Sequence, residues 1–350
     1  MTRQPRYLQR AQSIFEDLVN RSWSEQSCGG GCCWQARGTN GDVNDMTHCY
    51  KNAITSELFF SLSAQLMATY RTQGDDSRAM WAMAWAEKAL RWFARSGMLN
   101  SSSLVNDGLD TFAQHPNICL NNRRTAYTYN QGVLLSGLGY LYAATHMEQR
   151  PVVPVLPTAE RDEVAPTDGT DEEGSQALPG GRVALLKLAV KMIAAVWADN
   201  STLTYRGSGG VLREVNEPDL GPDGTLPNLY TGSPGTDGLQ FKSVLLRHLR
   251  YLIDQVMEAS GGSEAAAQKA VASAGGNLST WREHIVRNGI SIWDHAACAS
   301  PQRLTPGKAA LSIPALFGFL WTGPCSWAFG GPTATTQTAA LDVFVAAVGL

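Results

Sequence analysis

Tyr127-Thr128-Tyr129-Asn130-Gln131-Gly132 opens an apolar run that continues as Val133-Leu134-Leu135-Ser136-Gly137-Leu138-Gly139-Tyr140-Leu141-Tyr142. The run is apolar on every side and rich in small residues. A surface helix would show one polar face, so this pattern predicts an inner helix enclosed by others. Gly137 and Gly139 would let neighbouring helices come close. Tyr129, Asn130 and Gln131 give the helix a polar mouth. Flat aromatic faces beside fixed amides suit a sugar ring. The same residues also serve as core (Tyr127, Tyr129) and as helix caps (the amides).

Working outward, further helices are predicted at Arg6–Arg21, about Lys51–Tyr70, Arg78–Arg95, Val183–Trp197, about Gln240–Glu258, Ser263–Ser273, Ser279–His295 and Thr336–Val348. Each shows apolar residues at helical spacing or a cap at its start. Asp76 or Ser77 is expected to cap the helix that begins at Arg78, and Gly97 to end it. Met98–Arg124 reads as loop, and Gly209–Glu214 as a short strand. Loops of short and long length alternate, the pattern of antiparallel helical hairpins arranged in an all-α toroid. The chain lacks a motif-level internal repeat, which argues against a solenoid of identical units. It reads as a single domain, 1–350, with solvated insertions at about 148–181 and 206–238.

Composition narrows the function. The 350 residues are 44% hydrophobic and 17% charged, which supports a packed core. The net charge of -3 comes without a basic patch, against nucleic acid as the main partner. There is no run of 18 apolar residues and hence no expected membrane span. Of seven cysteines, Cys28, Cys32, Cys33 and Cys49 crowd one glycine-rich loop that also holds His48. Zinc loops pair their ligands in regular C-x2-4-C units. The irregular spacing here favours disulfides, with at least one cysteine left over; no metal or other cofactor is expected. Sequons at Asn20, Asn100, Asn200 and Asn277 point the same way, to a secreted or cell-surface protein. Yet the start, Met-Thr-Arg-Gln-Pro-Arg, shows no signal peptide.

Several stretches then occur in a telling order: Cys28-Gly29-Gly30-Gly31 with Trp34-Gln35, Tyr50-Lys51-Asn52-Ala53, Trp92-Phe93, Asp107-Gly108, Tyr127–Val133, Phe241-Lys242-Ser243 and Thr338–Val343. Together they resemble glycoside hydrolase family 76, the α-1,6-mannanases, including the fungal defective-cell-wall type. The resemblance implies an (α/α)6 toroid and hydrolysis or transfer at α-1,6-mannosidic bonds of a cell-wall mannan. It also implies two adjacent aspartates at a helix start, acting as nucleophile and general acid/base about 5–5.5 Å apart. In the family that pair precedes the helix leading into the Cys-Gly-Gly-Gly loop, which here is the first helix. The toroid is therefore expected to be incomplete, lacking its first four helices, with no catalytic residue in this chain. Asp75-Asp76 is not a substitute, because it reads as a turn and cap between two helices.

A substrate groove is expected to draw on Trp34, Asn52, Asp107, Tyr129, Asn130, Glu214 and Lys242. Trp34 suits stacking on a sugar, or covering core. Asn52 suits capping as well as binding. Asp107 suits sugar hydroxyls, or a plain Asp-Gly turn. Lys242 stands at a helix start, where a cation gains nothing from the helix dipole, and this favours a site role. Glu214 matches a family glutamate loosely. The alternative is a non-catalytic mannan-binding or wall-scaffold protein. Mass spectrometry of the native protein is expected to yield peptides upstream of Met1 containing adjacent aspartates; a mature chain starting at Met1 contradicts the catalytic reading.

Overall fold

The computed structural model describes residues 4–35, 49–112, 115–147, 181–215, 217, 238–298, 316–323, 325 and 332–350. The helices are α1 (Pro5–Arg21), α2 (Ala53–Thr72), α3 (Asp76–Arg95), α4 (Thr128–Met147), α5 (Gly181–Val196), α6 (Phe241–Ala259), α7 (Glu264–Ser273), α8 (Leu278–His295) and α9 (Ala334–Ala347). Two small antiparallel pairs join them: β1 (Leu109–Phe112) with β2 (His115–Asn121), and β3 (Ala297–Cys298) with β4 (Leu316–Phe317).

Helix α4 lies at the centre, packed on α6, α2 and α5. Its contacts fix the direction of its neighbours. Ser61 of α2 meets Ser136 at 2.8 Å, and Arg71 donates to the Ala144 carbonyl ten residues later, so α2 and α4 run parallel. Gly132 faces Leu245 and Gly139 faces Leu252, so α6 is parallel too. Ser243 and Arg247 reach Asp342 while Arg250 reaches the Ala346 carbonyl, which adds α9 to the set. These four inner helices start at one end. Helix α3 returns from α2 and α5 from α4, with Arg182 stacked 4.0 Å over the ring of Tyr142.

The glycines of α4 make this possible. A Cβ on Gly132 would lie 2.5 Å from the Leu245 Cα, a backbone atom that cannot step aside. On Gly137 it would lie 2.4 Å from the Phe60 ring, and on Gly139 3.0 Å from the Leu252 Cα. A polar tie crosses the same interface: the Ser136 hydroxyl sits 2.8 Å from Ser61 and 2.7 Å from His248 Nδ1. Burial pushes His248 down to about 3, so the imidazole is neutral and satisfied by the serine.

An aromatic cluster joins α1 to α2 and α3. Phe15 packs on Phe59 and Trp81, and Trp23 packs on Phe59, Trp85 and Trp92. The Cys-Gly-Gly-Gly loop lies against Trp92. A Cβ on Gly31 would lie 2.3 Å from the indole, whose Nε1 donates to the Cys28 carbonyl at 2.9 Å. The segment these glycines admit is therefore this tryptophan. Disulfides join Cys28 to Cys119, Cys33 to Cys49 and Cys298 to Cys325, and leave Cys32 buried and reduced. Burial raises its thiol to about 12, which makes it inert.

Some expectations need correction. Met98–Arg124 is not all loop, since β1 and β2 form there; Leu109, Thr111 and Cys119 bring strand-forming residues to a hairpin that the turn-rich flanks obscured. Gly209–Glu214 contributes only a single bridge, Leu212 to Thr204. Asp75, rather than Asp76 or Ser77, caps α3 by accepting from the Arg78 amide at 3.0 Å. That confirms the pair as cap chemistry. Helix α9 starts at Ala334, earlier than expected, because Thr333 and Thr336 form a reciprocal capping box. Most of the insertions at about 148–181 and 206–238, and His48, lie outside the described residues.

Gly132→Ala is expected to lower the unfolding free energy by about 1–3 kcal/mol through overpacking against backbone. Gly139→Ala, where the clash is milder, is expected to cost less. Chemical denaturation checks both.

Candidate functional site

The starting ends of α2, α4 and α6 lie together, because those helices are parallel. Helix N-termini expose unpaired amides and a positive dipole end, so polar and acidic groups collect there. At α2 Asn52 is the N-cap and accepts from the Thr55 amide at 3.3 Å. Its backbone bridges to Gly108, which ties the Asp107 loop to this end: the Ala53 amide donates to the Asp107 carbonyl at 2.8 Å. The Asp107 carboxylate accepts from the Tyr50 hydroxyl, which also accepts from Asn122 at 3.0 Å. Trp34 meets Tyr50 edge to face at 6.4 Å and is 58% exposed, so one indole face is open to a ligand.

At α4, Tyr129 stacks on Tyr127 at 5.6 Å and leans on Phe241 of α6 at 4.2 Å. Gln131 turns inward and holds Val105, accepting from its amide at 2.8 Å and donating to its carbonyl at 2.9 Å. It is a structural clasp. Asn130 is fully buried, and neither its amide oxygen nor its nitrogen has a partner.

Glu214 caps α4 from outside the helix. Its carboxylate, fully buried, accepts from the Thr128 hydroxyl and, at 3.3 Å, from the Thr128 amide. Burial raises Glu214 to about 8, partly offset by the Thr128 hydrogen bonds. Lys242 is also fully buried. It pairs with Glu217 at 2.6 Å, donates to the Phe319 carbonyl at 2.9 Å and lies 4.4 Å above the Trp321 ring. Burial lowers its pKa, while the adjoining Glu217 carboxylate holds the charge in place. Glu217 accepts in turn from Tyr205. Lys51 is a second buried lysine, donating to the Ser24 and Gly31 carbonyls at 2.8 and 2.7 Å; desolvation lowers it to about 7.

The structure thus gathers Asn52, Asp107, Tyr129 and Asn130 at one end, with Trp34 beside them through Tyr50. Glu214 and Lys242 stand at the same end but have internal partners. Sequence reasoning passed over Tyr50 and Glu217. Tyr50 lay in a quoted motif without a role, and Glu217 lay in a loop whose partner stands 25 positions away. No group of His, Cys, Asp and Glu among the described residues is arranged to hold a metal.

Residues 1–150 match the family model for Glycosyl hydrolase family 76. A putative mannan endo-1,6-alpha-mannosidase of Schizosaccharomyces pombe is 32% identical over 143 residues, 41% of this chain and 28% of that protein. Mannan endo-1,6-alpha-mannosidase DCW1 of Candida albicans is 32% identical over 145 residues, again 41% and 28%. The matched part therefore spans less than a third of those relatives. In fold, the chain resembles an alpha-1,6-mannanase of Salegentibacter sp. HEL1_6, solved as an inactive double aspartate variant with alpha-1,6-mannotriose. The TM-score is 0.56 at 18% identity, over 99% of this chain and 70% of that one. It also resembles Dfg5 from Chaetomium thermophilum, with a TM-score of 0.53 at 16% identity, over 96% and 59%. The mostly helical fold is that of these (α/α)6 enzymes over part of their length.

The raised Glu214 pKa has a consequence for stability. A carboxyl near 8 in the folded chain and near 4.5 unfolded binds more protons when folded between those values. Its contribution is full below pH 4.5 and is lost as pH rises towards 8. Glu214's share of the unfolding free energy is expected to fall across that window, against the opposite slopes of His248 and Lys51, so Glu214→Gln is expected to shift the pH slope upwards there, as measured by denaturation of both proteins at a series of pH values.

Proposed function

As a homologue of glycoside hydrolase family 76 over residues 1–150, the chain is one for which we propose binding of α-1,6-linked mannose at the starting ends of α2, α4 and α6. The observation that carries this reading is the coincidence of two things. The matched residues include Trp34, Tyr50, Asp107 and Tyr129, and the fold gathers them at one end of the inner helices. Trp34 offers a stacking face, and Asp107, held by Tyr50, offers an acceptor for sugar hydroxyls.

The reaction of the family, hydrolysis or transfer at α-1,6-mannosidic bonds, needs a carboxylate pair at this end. Asp75 and Asp76 stand elsewhere, in the turn between α2 and α3, where Asp75 is held by Arg78. We therefore assign this chain a substrate-binding part and place the catalytic pair outside it. The full protein acts on α-1,6-mannan of a cell wall or related polysaccharide. The three disulfides suit an oxidising compartment, in keeping with a secreted or surface-attached protein.

Isothermal titration with α-1,6-mannotriose tests the reading. Binding is expected, weakened about tenfold in Trp34→Ala by loss of a stacking face worth about 1–1.5 kcal/mol. Linear α-1,6-mannan is expected to be recovered unshortened. Absence of binding overturns the site, and release of short mannosides overturns the assignment of catalysis elsewhere.

A further inference from the structure

Glu57 and Asn130 each leave both polar side-chain atoms buried without a partner among the described residues. Glu57 lies one turn inside α2, fully buried, and neither carboxylate oxygen has a partner. The Ser56 hydroxyl beside it, 3% exposed, is also unpartnered. On the facing helix Asn130 leaves both amide atoms unpaired.

Helical spacing places these groups on the seam between α2 and α4. Ser61 and Phe60 meet Ser136 and Gly137 across it. Glu57 stands four residues before Ser61, and Asn130 seven before Gly137, so each shares the face of the residue that makes the contact. Tyr129 adjoins Asn130 at the start of α4, where burial above all raises its phenol. A buried polar atom left without a partner keeps the full cost of its desolvation. Such a concentration, in an interior that satisfies Gln131, Ser136 and Thr128 in full view of it, calls for a partner that the fold alone does not supply.

We propose that Ser56, Glu57 and Asn130 form a subsite that takes the hydroxyl groups of a bound mannose, entering past Tyr129. This rests on the mannose-binding reading above and adds to it a residue that the groove did not include. A protonated carboxyl donates one hydrogen bond and accepts others, and an amide does both, so the set matches a polyol without placing a net charge in the interior. Burial holds Glu57 well above the ordinary carboxylate range, which agrees with the neutral form.

The test compares α-1,6-mannotriose binding by the unmodified chain with Glu57→Leu and Glu57→Gln, alongside their melting temperatures. Glu57→Leu is expected to lose at least about tenfold in affinity while melting no lower than the parent, because an orphaned carboxyl is removed. Glu57→Gln keeps donor and acceptor and is expected to lose less. If the unmodified chain does not bind, both this proposal and the mannose reading fall. If it binds and Glu57→Leu binds equally well, only the subsite falls. Should Glu57→Leu not fold, infrared difference spectra of the unmodified chain and Glu57→Gln decide. The component of the protonated-carboxyl stretch that Glu57→Gln removes, as distinct from that of Glu214, is expected to shift on adding mannotriose; if that component does not move, the subsite is overturned.

Discussion

The rest of this structure depends on the approach of α4 to α6 and α2. At Gly132 the α6 backbone comes so near that a methyl group has no room, and at Gly139 it leaves little. Close approach of this kind holds whole helices in register, since a backbone cannot swing away as a side chain can. The register then decides direction. With Gly132 on Leu245 and Gly139 on Leu252, α6 runs parallel to α4, and Ser61 on Ser136 makes α2 do the same. Parallel inner helices put their starting ends together. The place of the candidate site is thus a consequence of glycine spacing in one helix.

That end concentrates polar groups that a core would otherwise exclude. Two lysines are buried there, each held by a different device. Lys51 donates hydrogen bonds to two backbone carbonyls, and Lys242 has Glu217 and an aromatic floor. A buried ion pair adds little net stability, because desolvation of both charges opposes their attraction, but breaking one partner is costly. Such pairs fix the loop carrying Glu214 and Glu217 on the ends of α4 and α6. Beside these satisfied groups, Glu57 and Asn130 stand out by having nothing to bond. The contrast between neighbours separates scaffold from site more sharply than burial does.

Much of the fold was legible in the sequence, because helical spacing and all-round apolarity are local signals. The α4 run identified an inner helix, and its glycines announced close neighbours. The odd cysteine and the irregular spacing identified disulfides with one thiol left over, Cys32. The hairpin at Leu109–Asn121 was not legible, since a short strand takes its meaning from a partner rather than from its own pattern. The site was legible in part. Trp34, Asp107, Tyr129 and Asn130 came from motif order, and they do share one end. Lys242 was read as a groove residue from its place at a helix start. Its partner Glu217 lies in another loop, and no local rule joins them. Glu57 went unnoticed because a glutamate in a helix is ordinary until its burial is known.

The proposed ligand site lies at one end of four parallel inner helices. The most direct measurement is a crystal structure of this chain soaked with α-1,6-mannotriose. The account requires sugar density at the starting ends of α2, α4 and α6, with a ring beside Tyr129 and Trp34. Density at the opposite end of those helices, or on the outer helices α3, α5 and α8, would contradict it.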